Sequence, residues 1–283
     1  MHCPRLRAAL LAALLGLTPA LLPAAETAQQ KEFTPQVGQE GKDVIWVPTP
    51  QALVERMLDM AKLTAKDIHY DLGSGDGRTV IAAAKRGAEA YGVEFNPDMV
   101  KLSERAAEKE GVSAKAHFIN GDIFKTDFSK ATVITLYLLP SLNVKLRPTI
   151  LKMKPGTRVV SHAFSMDDWQ ADQTDNVEGR TAYMWIVPAH VDGTWKWSGS
   201  GGGPKDYELQ LRQQYQKVDG VVRLDNNMGQ LRNVKLEGDR ISFMILDAGG
   251  AQREYSGRVT DNGMEGTVKG AGGEQKWSAS RAK

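Results

Sequence analysis

The sequence predicts two domains of different class: an α/β domain with helices on both faces of a largely parallel sheet, then a small all-β antiparallel barrel or sandwich. Three observations carry this. Between Val47 and Ala189, short apolar runs alternate with segments of helical period, the pattern of repeated strand–helix units. From His190 onward the apolar period drops to two, and 16 of the 28 glycines fall there as turn signals between short strands. The length of 283 residues accommodates two domains of roughly 150 residues each. With 41% hydrophobic and 25% charged residues, disordered and fibrous classes are excluded.

Residues 1–25 read as a cleavable export signal. They contain no acidic residue, Arg5 and Arg7 give a basic start, and Ala8 to Leu22 is apolar except at Gly16, Thr18 and Pro19. That run is shorter than the ~18 apolar residues a membrane span needs. The expected location is therefore periplasmic or secreted, and cytoplasmic if the signal is misread. Cys3 is the only cysteine, so the mature chain has no disulfide, thiol nucleophile or thiolate metal ligand. Without Arg5 and Arg7 the 36 basic residues fall to 34, equal to the 34 acidic ones, and no net field favours nucleic acid.

Residues 26–47 form a polar, extended lead-in ending near Trp46, and residues 48–189 form the α/β domain. Thr49 offers an N-cap oxygen with Pro50 at the first helical position, ahead of Leu53, Val54, Met57, Leu58 and Ala61. Asp67 to Leu72 is a buried strand running into Gly73-Ser74-Gly75-Asp76-Gly77. A helix over Thr79 to Lys85 follows, capped by Gly87. Ala90 to Phe95 is the second strand, with Asn96 as N-cap, Pro97 next, and a helix through Lys109. Ala114 to Ile119 and Val133 to Tyr137 are the third and fourth strands, Leu142 to Met153 a helix, and Arg158 to Ala163 the fifth strand. A hairpin near Gln170 to Val177 and Thr181 to Val187 turns at Glu178-Gly179.

Residues 190–283 form the β-domain, about eight strands in a meander. Tyr207, Leu209, Leu211, Gln213 and Tyr215 alternate with polar residues, and Asp219-Gly220 is expected to turn the chain. Later strands are separated at Glu237-Gly238, Gly249-Gly250, Asn262-Gly263 and Gly272-Gly273. Trp195, Trp197, Tyr207, Tyr215, Phe243, Tyr255 and Trp277 either fill a core or line a ligand cavity, and the Trp-bearing first and last strands faintly resemble lipocalin-like modules.

The most informative feature is Asp71-x-Gly73-x-Gly75-x-Gly77, at the carboxyl end of the first strand where open α/β sheets bind nucleosides. The spacing departs from the G-x-G-x-x-G of pyrophosphate sites, and Asp76 would repel phosphate but suit a cation. Glu94 ends the second strand, 17 residues after Gly77, where a carboxylate accepts from ribose hydroxyls. Asp122, after the third strand, can take the exocyclic amine of an adenine. Each residue alone has a structural reading as turn or helix-flanking charge; together they lie at one edge of one sheet. His117 and His162 read as strand residues rather than bases, and no His, Asp or Glu cluster has metal spacing.

Over Val47 to Ala189 the chain resembles the class I S-adenosyl-L-methionine-dependent methyltransferases, a Rossmann-like fold, with Tyr70 to Gly77 similar to that class's first motif. Val47-Pro48-Thr49-Pro50, Asp71 to Arg78, Gly121-Asp122-Ile123-Phe124 and Tyr137-Leu138-Leu139-Pro140 are similar to the seven-strand protein lysine methyltransferases, notably those acting on the mitochondrial ATP synthase c subunit. The resemblance implies that Asp71, Gly73, Gly75 and Gly77 hold the methionine part of the cofactor, Glu94 its ribose and Asp122 its adenine. Ser74, Asp76, Asn96 and Thr49, within or beside these motifs, are counted as cofactor-binding with them.

Tyr137, at the tip of the fourth strand, either lines the acceptor position or is the strand's last core residue. No Asn/Asp-Pro-Pro-aromatic motif stands at that tip, which disfavours nucleobase and glutamine amines as acceptors. The expected acceptor is a protein lysine, in a cell-envelope protein if the chain is exported, or else a small molecule. The alternatives are an exported nucleoside- or small-ligand-binding protein that keeps the fold without turnover, and, third, a dehydrogenase.

Overall fold

The computed structural model describes residues 1–2, 33–199 and 203–282. The signal expected over residues 1–25 lies outside the described residues apart from its first two. No helix among the described residues is long and apolar enough to cross a membrane.

The first helix, α1 (Gln51–Met60), buries Leu53, Val54, Met57, Leu58 and Met60. Pro50, expected at the first helical position, occupies its N-cap, so the helix starts one residue later than expected and Thr49 does not cap it; the Thr49 hydroxyl bonds to Nδ1 of His162 at 3.0 Å instead. Next come β1 (Ile68–Leu72), α2 (Arg78–Lys85), β2 (Glu89–Glu94) and α3 (Pro97–Lys109). Asn96 caps α3 by accepting from the amide of Asp98 at 2.9 Å, with Pro97 opening the helix. Then follow β3 (Ala116–Asn120), β4 (Val133–Leu136), α4 (Pro140–Ile150), β5 (Arg158–His162), β6 (Gln173–Val177) and β7 (Arg180–Ile186). Helix α4 starts and ends earlier than its apolar pattern indicated. Pro140 suits the first turn, and Pro148, which offers no amide donor, lies two residues from the end.

These strands form one sheet in the order β3-β2-β1-β4-β5-β7-β6. Strands β1 to β5 are parallel, and β7 closes antiparallel on β5 and β6. Strand order reverses between β1 and β4, which opens a crevice at their carboxyl ends.

The remaining strands are β8 (Gly193–Ser198), β9 (Asp206–Gln214), β10 (Lys217–Leu224), β11 (Asn227–Glu237), β12 (Arg240–Leu246), β13 (Gln252–Val259), β14 (Met264–Gly270) and β15 (Gly273–Arg281). They form a closed antiparallel barrel, β15 pairing back onto β8. Its interior is packed with aromatic rings: Trp197 stacks on Tyr207 at 4.8 Å, Phe243 on Tyr255 at 4.9 Å, and Trp277 meets Tyr255 edge-on at 5.2 Å.

Two expectations fail in the barrel, for related reasons. Asp219 and Gly220 lie inside β10, paired with Arg212 and Leu211, and the glycine serves the close pairing, since a side chain at 220 would collide with the carbonyl of Gln210. The turn falls at Tyr215-Gln216, where Tyr215 takes φ +55°. Tyr215 is consequently outside the barrel core. Its ring stacks on Trp169 at 5.8 Å, its hydroxyl meets both oxygens of Asp168 at 3.1 Å, and Arg147 lies over it. Gln216 adds hydrogen bonds to Trp169 and to the carbonyl of Gln170. One barrel turn is thus the key that docks on the sheet domain.

Candidate active site

The loop after β1 is a backbone structure before it is a site. Gly73, Gly75 and Gly77 all take positive φ, +85°, +54° and +78°. The amides of Gly73 and Ser74 donate to the carbonyl of Val93 at 2.9 and 3.1 Å, that of Gly77 to Ser74, and that of Gly75 to the Glu94 carboxylate at 2.9 Å. These four amides point into the protein. A pyrophosphate site needs them pointing out, so the geometry opposes a dinucleotide.

Asp71, Ser74, Gly73, Gly75, Asp76, Glu94, Asn96, Asp122, Thr49 and Tyr137 all line one cavity of about 740 Å³ in the crevice between β1 and β4. Gly77 does not line it. Its role is packing, since a Cβ there would lie 2.7 Å from Phe118 and Ser103.

Asp71 is buried, and burial, aided by the charges of Asp76 and Glu94, pushes its carboxyl up to about 7 against opposing hydrogen bonds from Thr135 and Thr79. Glu94 is oriented by two amides, Gly75 on one oxygen and Asn96 on the other, both at 2.9 Å. Each oxygen keeps further acceptor capacity, and Glu94 lines the cavity. Asp122 accepts from the amide of Phe124 at 2.9 Å and pairs with Lys42 at 2.7 Å, and the Lys42 hydrogen bond holds its carboxyl below the usual range.

Asp76 departs from expectation. Its carboxylate is forked by Arg78, with contacts of 3.0, 3.1 and 2.5 Å, and Arg78 also holds the carbonyl of Thr49. A paired charge does not select a cation, so the argument for a cationic ligand passes to Asp71 and Glu94.

Tyr137 follows the last residue of β4. Its ring stacks on His162 at 3.8 Å and on Phe164 at 6.2 Å. His162 is buried and, by burial, pushed down to about 4, so it is neutral at pH 7. His117 pairs with Glu89 at 2.6 Å, outside the cavity.

The lead-in is more than a polar extension. Residues 38–46 double back, bridged at Glu40 and Ile45, with amide–carbonyl bonds of 2.9 Å both ways between this hairpin's two sides. Lys42 reaches Asp122 and lies 4.8 Å over the Phe95 ring, and Trp46 covers Gly75, where a Cβ would come within 2.7 Å of the indole nitrogen. Sequence reading missed Lys42, Trp46, Phe95 and Phe164 as site residues. Trp46, directly before Val47-Pro48-Thr49-Pro50, carried the one usable signal.

Residues 71–173 match a family model described as the ANTKMT methyltransferase domain. The chain is 42% identical over 154 residues to a protein-lysine N-methyltransferase of Saccharolobus islandicus, covering 52% of this chain and 96% of that protein. It is 32% identical over 160 residues to the Mus musculus lysine N-methyltransferase of the ATP synthase c subunit, covering 56% of this chain and 62% of that enzyme's length. Among solved structures, an RNA methyltransferase from Salinibacter ruber in complex with S-adenosyl-L-homocysteine is 49% identical, with a TM-score of 0.50, and the match covers 51% of this chain and 96% of that one.

Proposed function

The chain belongs to the protein-lysine N-methyltransferase family of its Saccharolobus islandicus relative, enzymes dependent on S-adenosylmethionine, and from that premise we propose that it methylates the side-chain amine of a lysine in a protein acceptor. The observation that carries the reading is the meeting of Asp71, Glu94 and Asp122 in one cavity with a glycine loop whose amides face inward. These residues fit the cofactor. Gly73 and Gly75 let the loop backbone lie against Leu138 and Trp46, where a Cβ would come within 3.0 and 2.7 Å, and the buried Ser74 hydroxyl has no protein partner among the described residues.

In this reading Asp71 receives the ammonium of the methionine part, with Gly73, Ser74, Gly75 and Thr49 around it. Glu94 receives the ribose hydroxyls, with Asn96 fixing its orientation. Asp122 receives the adenine amine between Phe95 and Ile123. When bound, S-adenosylmethionine supplies a methyl group on a sulfonium. The chain's remaining work is to align the acceptor, exclude water and favour the neutral amine, whose free pKa is ~10.4. Tyr137 and Phe164 wall the cavity beyond Asp71, and neutral His162 behind Tyr137 adds no positive charge. Less polar surroundings lower an amine's pKa, the direction the reaction needs.

A protein acceptor is favoured over RNA by the balanced charge and by the exposed apolar residues Ile45, Phe95 and Leu139 at the cavity. Export by residues 1–25 and a cell-envelope acceptor are part of the same proposal. They rest on the basic, apolar start of the sequence, and methyl transfer would then precede export, where the cofactor is made. Incubating the protein with methyl-labelled cofactor and cell extract, then separating protein, RNA and small metabolites, tests the acceptor. Label in protein supports lysine methylation, whereas label confined to RNA or metabolites contradicts it and leaves methyl transfer standing.

A further inference from the structure

Behind the cavity lies a polar chain that the proposed function does not use. His69 and Asp71 are two apart on β1 and share a face of the sheet, and Thr135 on β4 stands opposite Asp71 in register. The Thr135 hydroxyl donates to Oδ1 of Asp71 at 2.7 Å, and Nε2 of His69 lies 2.9 Å from that same hydroxyl oxygen. Both His69 and Thr135 are fully buried, and neither lines the cavity. A hydroxyl has one proton. Once it is given to Asp71, the contact with His69 requires Nε2 to be the donor, which leaves Nδ1 as a bare acceptor; Nδ1 has no partner among the described residues. The chain of donors therefore runs His69 to Thr135 to Oδ1 of Asp71, and a donor aimed at that oxygen favours the carboxylate over the carboxylic acid.

We propose that Thr135 and His69 are positioning residues that hold Asp71 ionised and oriented toward the ammonium of the bound cofactor, without touching that cofactor themselves. This rests on the reading that Asp71 is the ammonium's partner. Such a device answers a specific difficulty. The groups facing Asp71 are Asp76 and Glu94, both anionic and both opposing its ionisation, Thr79 from α2, and Thr135; Arg78 is committed to Asp76. His69 is kept neutral by burial, down to about 3, with only Asp67 acting against this, so it donates a hydrogen bond but brings no charge. Removing the Thr135 hydroxyl takes away a bond that favours the carboxylate, so Asp71 would then ionise at higher pH.

The test is calorimetric titration of the full chain with S-adenosylhomocysteine from pH 5.5 to 8.5, which retains the amino group in question. In the unaltered protein, affinity should fall as pH drops through the range where Asp71 protonates. Thr135→Val should bind about tenfold more weakly at pH 7.5, the effect of one lost hydrogen bond to a charged group, and its pH midpoint should move upward. Thr135→Ser should restore both, and His69→Gln, whose amide still donates, should lie nearer the unaltered protein than His69→Leu. A folded Thr135→Val protein with unaltered affinity and midpoint overturns the proposal. Asp71→Asn distinguishes the layers: if it binds as well as the unaltered protein, the assignment of Asp71 fails and the positioning role fails with it.

Discussion

Asp71, next to last in β1, is buried at the cavity wall, and two hydroxyls do not fully offset the cost of burying its charge. Its unfolded value lies near 3.9, whereas burial holds it up to about 7 in the fold. Between those values the folded chain keeps a proton that the unfolded chain has lost. The stabilising contribution is therefore fully present below about pH 4 and is lost as pH rises through 7. Asp71→Asn should stabilise the fold at pH 8 by on the order of 2 kcal/mol while weakening cofactor binding, a pairing checked by melting temperature and calorimetry on one sample. Glu94 behaves differently because it also ties the loop. Glu94→Ala should weaken cofactor binding by about 1.5 to 3 kcal/mol, and Glu94→Gln should lose less, since one amide oxygen still receives the Gly75 or the Asn96 amide. Normal binding by a folded Glu94→Ala protein would remove Glu94 from the ribose position. The placement of Asp71 and Glu94 was legible in the sequence because strand ends are marked by the glycines and the N-cap that follow them. The pairing of Asp76 with Arg78 was not, since two neighbouring charges do not declare whether they face each other or a ligand.

At the scale of elements, caps and periods carried most of the information. Helix α3 was marked at both ends, by Asn96-Pro97 and by the apolar spacing through Ala107, and its extent agrees with the expectation. The hairpin over residues 38–46 was invisible because it is held by backbone bonds and by Lys42 reaching a residue 80 positions away. No local pattern encodes such a contact. Trp46→Ala should weaken S-adenosylhomocysteine binding about tenfold with little change in melting temperature, because the indole covers the loop at Gly75 rather than a core. In the barrel, Asp-Gly was a turn signal overruled by packing. Gly220→Ala should cost about 2 kcal/mol or more in denaturant unfolding, since its Cβ would meet the Gln210 carbonyl of the paired strand. An unchanged unfolding midpoint would show that β9 and β10 are not in that register.

Across the whole molecule, the sheet domain makes the cavity and the barrel makes none of it, yet the two are joined by more than a linker. The Tyr215-Gln216 turn caps Trp169, and the Ala189 amide bonds to the Gly238 carbonyl at 2.8 Å. Tyr215 holds a left-handed conformation that costs a non-glycine residue of order 1–3 kcal/mol, and its contacts with Asp168, Arg147 and Trp169 keep it there. A chain ending at residue 189 should therefore still bind cofactor but melt several degrees lower, with the Trp169 side chain now solvated. The two-domain order was readable from the change of apolar period, while the docking turn was not, because Tyr215 fits the alternation of β9 as well as it fits an interface. The central claim is methyl transfer from S-adenosylmethionine to a protein lysine, and the most direct measurement is mass spectrometry of acceptor proteins from extracts treated with the unaltered enzyme and with Asp71→Asn. Methylated lysine present with the first and absent with the second is the expected result. No methyl-lysine above background with the unaltered enzyme, while methyl groups accumulate on RNA or small metabolites, would contradict it.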